Sequence, residues 1–272
     1  MTPSSGDAVF AGSIPQLYER YLVPLIFEPY AVDLASRVAL GKPSRVLEIA
    51  AGTGVVTRHL ATALPSEVSI VATDLSQPML DQAVETGTFH PVEWRQADAM
   101  HLPFPDEVFD VVVCQFGVMF FPDKAKAFSE ARRVLRSDGQ FIFNVWDRID
   151  QNEFADTVTE ALKDVFPDNP PQFMARVPYG YHDSTVIAQE LLHGGFTRSP
   201  ESIILPACSR ADSPRVPAVA FCQGTPLRTE IEDRGPSRVV EATDFATNAL
   251  ASRFGSGAVE GKIQAHIITI RR

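Results

Sequence analysis

The sequence predicts an α/β protein built on a doubly wound, mostly parallel sheet of seven strands, and three observations carry that expectation. Short, nearly continuous apolar runs alternate with segments of helical period, the pattern of strands buried on both faces and joined by crossover helices. Acids and glycines stand immediately after the first apolar runs, where an open α/β sheet places its ligand-binding edge. The chain closes on KIQAHIITI (262–270), an alternating segment that reads as a further strand.

Each element follows in order. QLYERYLVPLIFEPYAVDLASRVAL (16–40) has apolar residues at helical spacing, with Pro24 and Pro29 expected to bend it into two or three pieces. After the Lys42–Pro43–Ser44 turn, RVLEIA (45–50) is a buried strand, and VVTRHLATAL (55–64) is a helix closed by Pro65. VSIVATD (68–74) is the second strand. Ser76 caps the next helix, with Pro78 in its first turn, and VEWRQAD (92–98) is the third strand. FDVVVCQ (109–115) is the fourth. Lys124–Leu135 is amphipathic and stops at Ser137–Asp138–Gly139, and QFIFNVW (140–146) is the fifth.

Past residue 146 the pattern loosens. Phe154–Val165 reads as a helix, and PDNPPQFMARVPYGYHD (167–183) is a proline- and aromatic-rich loop too long to be only a connector. Val186–His193 is a helix ended by Gly194–Gly195, ESIILPA (201–207) is a strand, and 213–256 holds two or three helices. Lacking an internal repeat or low-complexity linker, the chain reads as one domain. Residues 1–40 form a helical lid, 41–146 the core, and 147–272 a second half whose helices at about 213–256 cap the sheet's carboxyl edge.

Composition narrows the function. The 272 residues carry a formal net charge of −10, which repels phosphate backbones and disfavours a nucleic-acid partner. The densest basic cluster, Arg132, Arg133 and Arg136, reads as a solvated helix face. No window approaches ~18 uninterrupted apolar residues, so no membrane span is expected, and the N-terminus lacks a signal-peptide pattern. Cys114, Cys208 and Cys222 are widely spaced and form no CxxC pair. That argues against a metal site or disulfide framework and fits the cytoplasm.

The residues placed for chemistry cluster at the strand exits. Glu48 ends the first strand, and Gly52 and Gly54 follow in a tight turn that lets backbone approach a ligand. Asp74 closes the second strand, 22 positions after Gly52, where a carboxylate can accept hydrogen bonds from both hydroxyls of a ribose. Asp98, with the Ala99 amide, closes the third and can read an adenine edge; Gln115 and Phe116 follow the fourth. Taken singly, each has a plainer role: a turn glycine, a helix cap at Asp74, a solvated turn acid at Asp98. Their joint recurrence after successive strands carries the inference.

These segments resemble the core of the class I S-adenosylmethionine-dependent methyltransferases, of the subgroup that includes ubiquinone and menaquinone C-methyltransferases. EIAAGTG (48–54) resembles the acid-x-x-x-G-x-G loop, and TDLSQPML (73–80) resembles the ribose-binding segment. QADAMHLPFPDEVFDVVVCQFGVMFFPD (96–123) resembles the adenine-side loop and fourth strand. VLRSDGQFIF (134–143) resembles the turn before strand five, with Ser137–Asp138–Gly139 replacing Pro-Gly-Gly. The resemblance covers about 40% of the chain, residues 45–146. It implies a Rossmann-like sheet with an antiparallel last strand and S-adenosyl-L-methionine as cofactor. Glu48 would orient the methionyl amino end, and Ala50, Gly52 and Gly54 would run their backbone along the cofactor. Asp74 would hold the ribose, Leu75 and Met79 would flank adenine, and Asp98 and Ala99 would take its amino edge. Gln115 and Phe116 would face the methionyl group and reaction centre.

Two other readings stand beside methyl transfer. An NAD-dependent oxidoreductase would also put an acid on ribose, but its fingerprint wants a third glycine where this chain has Thr57. Glu48 would also be unfavourable beside a pyrophosphate, whereas it suits a cationic sulfonium. A non-catalytic cofactor-binding protein on the same fold is the other reading. For the acceptor, Tyr18, Tyr21, Phe116, Phe173, Tyr179 and Tyr181 are expected to form an aromatic lid, though Tyr18 and Tyr21 equally suit helix packing. That lid implies a small-molecule acceptor. His182 in the aromatic loop is the candidate general base, and a homodimer is compatible with the sequence.

Overall fold

The computed structural model of the protein describes Phe10 and residues 12–272. In chain order its elements begin with α1 (Ile14–Leu17), a π-helical segment (Tyr18–Phe27), α2 (Glu28–Leu40), β1 (Arg45–Ile49), α3 (Val55–Ala63), β2 (Ser69–Asp74), α4 (Gln77–Thr86) and β3 (Glu93–Gln96). β4 (Phe109–Gln115), α5 (Lys124–Val134), β5 (Leu135–Trp146), α6 (Glu153–Val165), α7 (Phe173–Arg176) and α8 (Ser184–His193) follow. β6 (Glu201–Ala211), α9 (Arg215–Gln223), α10 (Leu227–Asp233), α11 (Arg238–Phe254) and β7 (Val259–Arg271) complete the chain. The chain divides into two compact units.

One unit comprises Pro29–Val145, Tyr181–Ile204 and His266–Arg272, and all seven strands contribute to it. Strand order is β3-β2-β1-β4-β5-β7-β6, a mostly parallel sheet with antiparallel final strands. β1 lies at its middle, parallel to β2 on one side and β4 on the other, with Glu48 level with Ala72 and Val113. The order reverses between β1 and β4, so their carboxyl ends flank the crevice where such sheets bind ligands. Val46, Leu47 and Ile49 of β1 are buried, as are Val111 to Cys114 of β4, which explains why these strands read as unbroken apolar runs.

Several boundaries differ from the sequence expectation. β3 ends at Gln96, so Asp98 stands in the loop beyond the strand rather than at its end. β5 begins at Leu135, and Ser137–Asp138–Gly139 is not a free turn. Its register against β4 jumps from Phe109↔Leu135 to Val111↔Gln140, so these residues form an irregularity inside the strand. Gly139 fits there because an added Cβ would meet the Asp110 and Arg136 carbonyl oxygens at 3.0 Å. The predicted bend at Pro24 is absorbed in the π-helical segment, whose wider turns accommodate a residue without an amide hydrogen.

The other unit comprises the described residues up to Glu28, Trp146–Gly180 and Leu205–Ala265. It holds the π-helical segment, α6, α7, α9, α10 and α11, with three helices in the 213–256 stretch. Glu230 of α10 accepts the Gln172 and Phe173 amides at 2.7 and 3.1 Å and the Arg176 guanidinium at 2.8 Å, which anchors α7. Phe154 of α6 meets Phe254 of α11 edge-on at 5.0 Å and covers Gly261, where a Cβ would come within 2.9 Å of the ring. The expected core falls in the first unit except for Trp146, and the expected cap in the second. The expected lid changes unit after Glu28.

In the sheet unit α8 packs on α5, and Gly194 permits the approach, since a Cβ there would meet that of Phe128 at 2.6 Å. Asp183 caps α8, accepting the Thr185 and Val186 amides at 2.8 and 3.4 Å. Replacing Asp183 with alanine is expected to leave the first amides of α8 without that acceptor and weaken the helix start. It should lower the melting temperature by about 2–4 °C; an unchanged melt by circular dichroism would contradict the cap's role.

Candidate functional site

The exits of β1 and β2 are joined by one carboxylate. Asp74 Oδ2 accepts the Gly52 amide at 2.8 Å, and Oδ1 accepts the Ser76 amide at 2.8 Å. Asp74 thus closes the turn ahead of α4, whose N-cap is Ser76, while also holding the glycine loop. The Ala51 amide reinforces the junction by donating to the Thr73 carbonyl at 2.9 Å. Burial raises the Asp74 carboxyl above the usual carboxylate range, and the Ser76 and Gly52 amides oppose that shift.

Glu48 lies beneath the loop at 1% exposure. Its Oε2 accepts the Thr57 hydroxyl at 2.5 Å. Burial pushes its carboxyl up to about 8; the Thr57 hydrogen bond and Arg58 pull against this, and nearby Asp74 adds to it. Above it the backbone turns left-handed at Ala50 (φ 55°), Gly52 (φ 56°) and Gly54 (φ 83°). Gly54 has a further reason to lack a side chain, since a Cβ would sit 2.7 Å from the Trp94 ring. Within the loop, Thr53 Oγ1 is buried with no hydrogen-bond partner among the described residues, a polar atom suited to a ligand carried by this loop.

The β4 exit abuts the β1 exit. A Cβ on Gly117 would meet the Ala50 Cβ at 2.5 Å and Cys114 Sγ at 2.8 Å. Phe116 is held at φ 49°, a left-handed conformation that costs a bulky residue energy. Asn144 of β5, level with Gln115, accepts the Phe116 amide on Oδ1 at 2.9 Å and donates from Nδ2 to Gln115 Oε1 at 3.4 Å. Tyr30 packs edge-on against the Phe116 ring at 5.3 Å.

On the β2 side, Leu75 is 60% exposed, while Met79 is buried. Asp98 closes its loop by accepting the Met100 amide at 2.8 Å, and its other oxygen stands 3.2 Å from His101 Nδ1. Ala99 lies in the same turn. The Ala97 amide donates to the Asp74 carbonyl at 3.0 Å and Gln96 Nε2 to the Leu75 carbonyl at 2.8 Å, so the Asp98 loop is tied to the β2 exit.

The expected acceptor aromatics are distributed over both units. In the helical unit, Tyr18 stacks on Phe27 at 5.0 Å, Phe27 meets Trp146 at 6.0 Å, and Trp146 meets Tyr179 at 5.7 Å. Tyr18 and Tyr179 are therefore linked through two aromatics the sequence reading had not chosen. Tyr21 lies under the Arg20 guanidinium, and Phe173 is buried. In the sheet unit, the Tyr181 hydroxyl bonds Glu190, and the Lys124 ammonium lies 4.9 Å from its ring centre. His182 is half-buried beside the Asp183 cap.

Thr57, Gly117 and Asn144 were missed. Thr57 had registered only as an absent glycine, and the other two act through contacts distant in sequence. Among the described residues no group of three or more His, Cys, Asp or Glu side chains could hold a metal, and no helix is long and apolar enough to cross a membrane.

Comparison with known proteins places this geometry. Residues 47–143 match the family described as a methyltransferase domain. The ubiquinone/menaquinone biosynthesis C-methyltransferase UbiE of Teredinibacter turnerae is 34% identical over 138 residues, 49% of this chain and 51% of that protein. The demethylmenaquinone methyltransferase of Thermus thermophilus is 40% identical over 114 residues, 41% of this chain and 50% of that one. The chain thus spans about half the length of these curated relatives. A solved Haemonchus contortus phosphoethanolamine N-methyltransferase, in complex with S-adenosylhomocysteine, shares the fold at a TM-score of 0.60 and 16% identity, covering 98% of this chain and 59% of that one. The likeness to methyltransferase domains thus spans residues 47–143.

The Glu48 environment makes a pH-dependent prediction. A carboxyl shifted to about 8 is mostly protonated at pH 7, and a cationic ligand group beside it favours the ionised form. Binding of S-adenosylmethionine should then release a proton, and affinity should rise between pH 6 and 7.5 by up to about tenfold per unit. Calorimetry in buffers of different ionisation enthalpy reads the proton directly, and Glu48→Gln should abolish it. Release of the same proton by Glu48→Gln would assign it elsewhere.

Proposed function

We propose that this chain transfers a methyl group from S-adenosylmethionine to a small organic acceptor by in-line displacement. The observation that carries the reading is the Gly52–Asp74 hydrogen bond, which sets a carboxylate and a glycine loop against each other at the point where strand order reverses. The bound donor supplies a methyl group on a cationic sulfonium that is already activated as a leaving group. What falls to the chain is alignment, exclusion of water and, for acceptors that need it, removal of a proton.

The residues fit the donor. Glu48 holds a carboxyl toward its cationic methionyl end, and Ala50, Gly52 and Gly54 pass backbone alongside it without steric obstruction. Asp74 retains lone pairs on both oxygens for ribose hydroxyls. Leu75 and Met79 flank the adenine, Asp98 and the Ala99 amide take its polar edge, and Gln115 and Phe116 border the methionyl group. In the sheet unit we assign Tyr181 to the acceptor and name His182 as a candidate base; the other expected acceptor aromatics, Tyr18, Tyr21, Phe173 and Tyr179, belong to the helical unit. The formal charge of −10 supports an uncharged or cationic small molecule over a nucleic acid.

Isothermal titration should show S-adenosylmethionine binding and no NAD binding. Asp74→Ala should weaken binding about a hundredfold, the scale of losing two hydrogen bonds to a charged acceptor. NAD binding in place of S-adenosylmethionine would overturn the proposal. Binding with no methyl transfer to any member of a broad acceptor panel would favour a non-catalytic cofactor-binding protein.

A further inference from the structure

Asn144 is fully buried, and none of the donor-binding roles above uses it. It sits on β5 in register with Gln115, at the last paired rung before the β4 exit. A buried primary amide must satisfy both its oxygen and its nitrogen, and here each end has an informative partner. The Phe116 amide can only donate, so the atom it meets at 2.9 Å is the Asn144 oxygen. The same amide also lies 3.2 Å from the Asn144 main-chain carbonyl, so it is shared between two oxygens of one residue. With that oxygen fixed, the Asn144 nitrogen faces Gln115, and the atom it meets at 3.4 Å must be the Gln115 oxygen. The polarity of the Gln115 amide follows: its oxygen is turned toward β5 and its donor nitrogen away from it.

This arrangement bears on strain. Phe116 is held at φ 49°, which an aromatic residue adopts only where its surroundings over-determine it. Gly117 next to it is seated against the Ala50 Cβ, leaving the β4 exit no slack toward β1. We propose that Asn144 is a positioning residue of the methyl-donor site, locking Phe116 in the left-handed conformation and setting the polarity of the Gln115 amide. This inference rests on the methyltransferase reading of the same edge. Asn144 acts from behind the strand exit, through Phe116 and Gln115, which border the donor.

A double-mutant cycle tests it with S-adenosylhomocysteine as the probe. Asn144→Leu removes both amide contacts while keeping the branched four-atom side-chain skeleton, and Phe116→Gly removes the need for a clamp because glycine adopts positive φ freely. Expected are a loss of about tenfold or more in affinity for Asn144→Leu alone, and a loss below about threefold when it is made in the Phe116→Gly background. Asn144→Asp keeps the acceptor for Phe116 but faces Gln115 with a second oxygen, and should fall between wild type and Asn144→Leu. The proposal is overturned by a loss below about twofold for Asn144→Leu, or by equal losses in both backgrounds, the result a merely structural packing residue would give. If Asn144→Leu does not fold, Asn144→Ala carries the same cycle. Should wild-type protein fail to bind S-adenosylhomocysteine, the methyltransferase reading falls. The clamp is then read from melting temperatures in the same cycle, where additive losses overturn it.

Discussion

The hydrogen bond from the Gly52 amide to Asp74 joins residues 22 apart in sequence and holds two strand exits at a fixed separation. Most of the site depends on it. A parallel sheet delivers the carboxyl ends of β1 and β2 to the same edge, but strand register alone does not set the loops beyond them. Asp74 does so by accepting amides from both sides, one from the loop after β1 and one from the turn into α4. Those amides oppose the desolvation of the carboxyl only in part, and burial still raises it above the usual carboxylate range.

Strain at the neighbouring exit completes the edge. Ala50 and Phe116 both adopt left-handed backbone, one after β1 and one after β4, and Gly117 fills the narrow gap between them. Each distortion costs on the order of 1–3 kcal/mol and persists because the surrounding structure leaves no alternative. Here the surrounding structure is specific: Thr57 on Glu48, Asn144 on Phe116, and Trp94 over Gly54.

How much of this was legible follows the range of the interactions. The placement of Glu48, Gly52 and Asp74 at the exits of their strands could be read because buried parallel strands are continuous apolar runs and their loops come next in sequence. The third strand reads as 92–98 but spans Glu93–Gln96, so Asp98 falls in the loop beyond it; the mostly exposed residues of β3 carry no apolar run to mark its end. Thr57 reads from sequence only as a position lacking glycine, yet it supplies the hydroxyl that Glu48 accepts, from within the first turn of α3. Gly117 and Asn144 gave no local signal because their partners, Ala50 and Phe116, lie 67 and 28 residues away. The helical unit was least legible. Its aromatic run passes through Phe27 and Trp146, residues whose own segments read as a bent helix and the end of a strand.

The central claim is that the strand exits of the sheet unit form one preorganised donor site. A crystal structure with S-adenosylhomocysteine tests it most directly. The account predicts both ribose hydroxyls on Asp74, adenine against Leu75 with its amino edge toward Asp98, and the Gly52–Asp74 and Asn144–Phe116 hydrogen bonds unchanged from the free protein. A ligand seated away from Asp74, or a glycine loop rebuilt on binding, would contradict it.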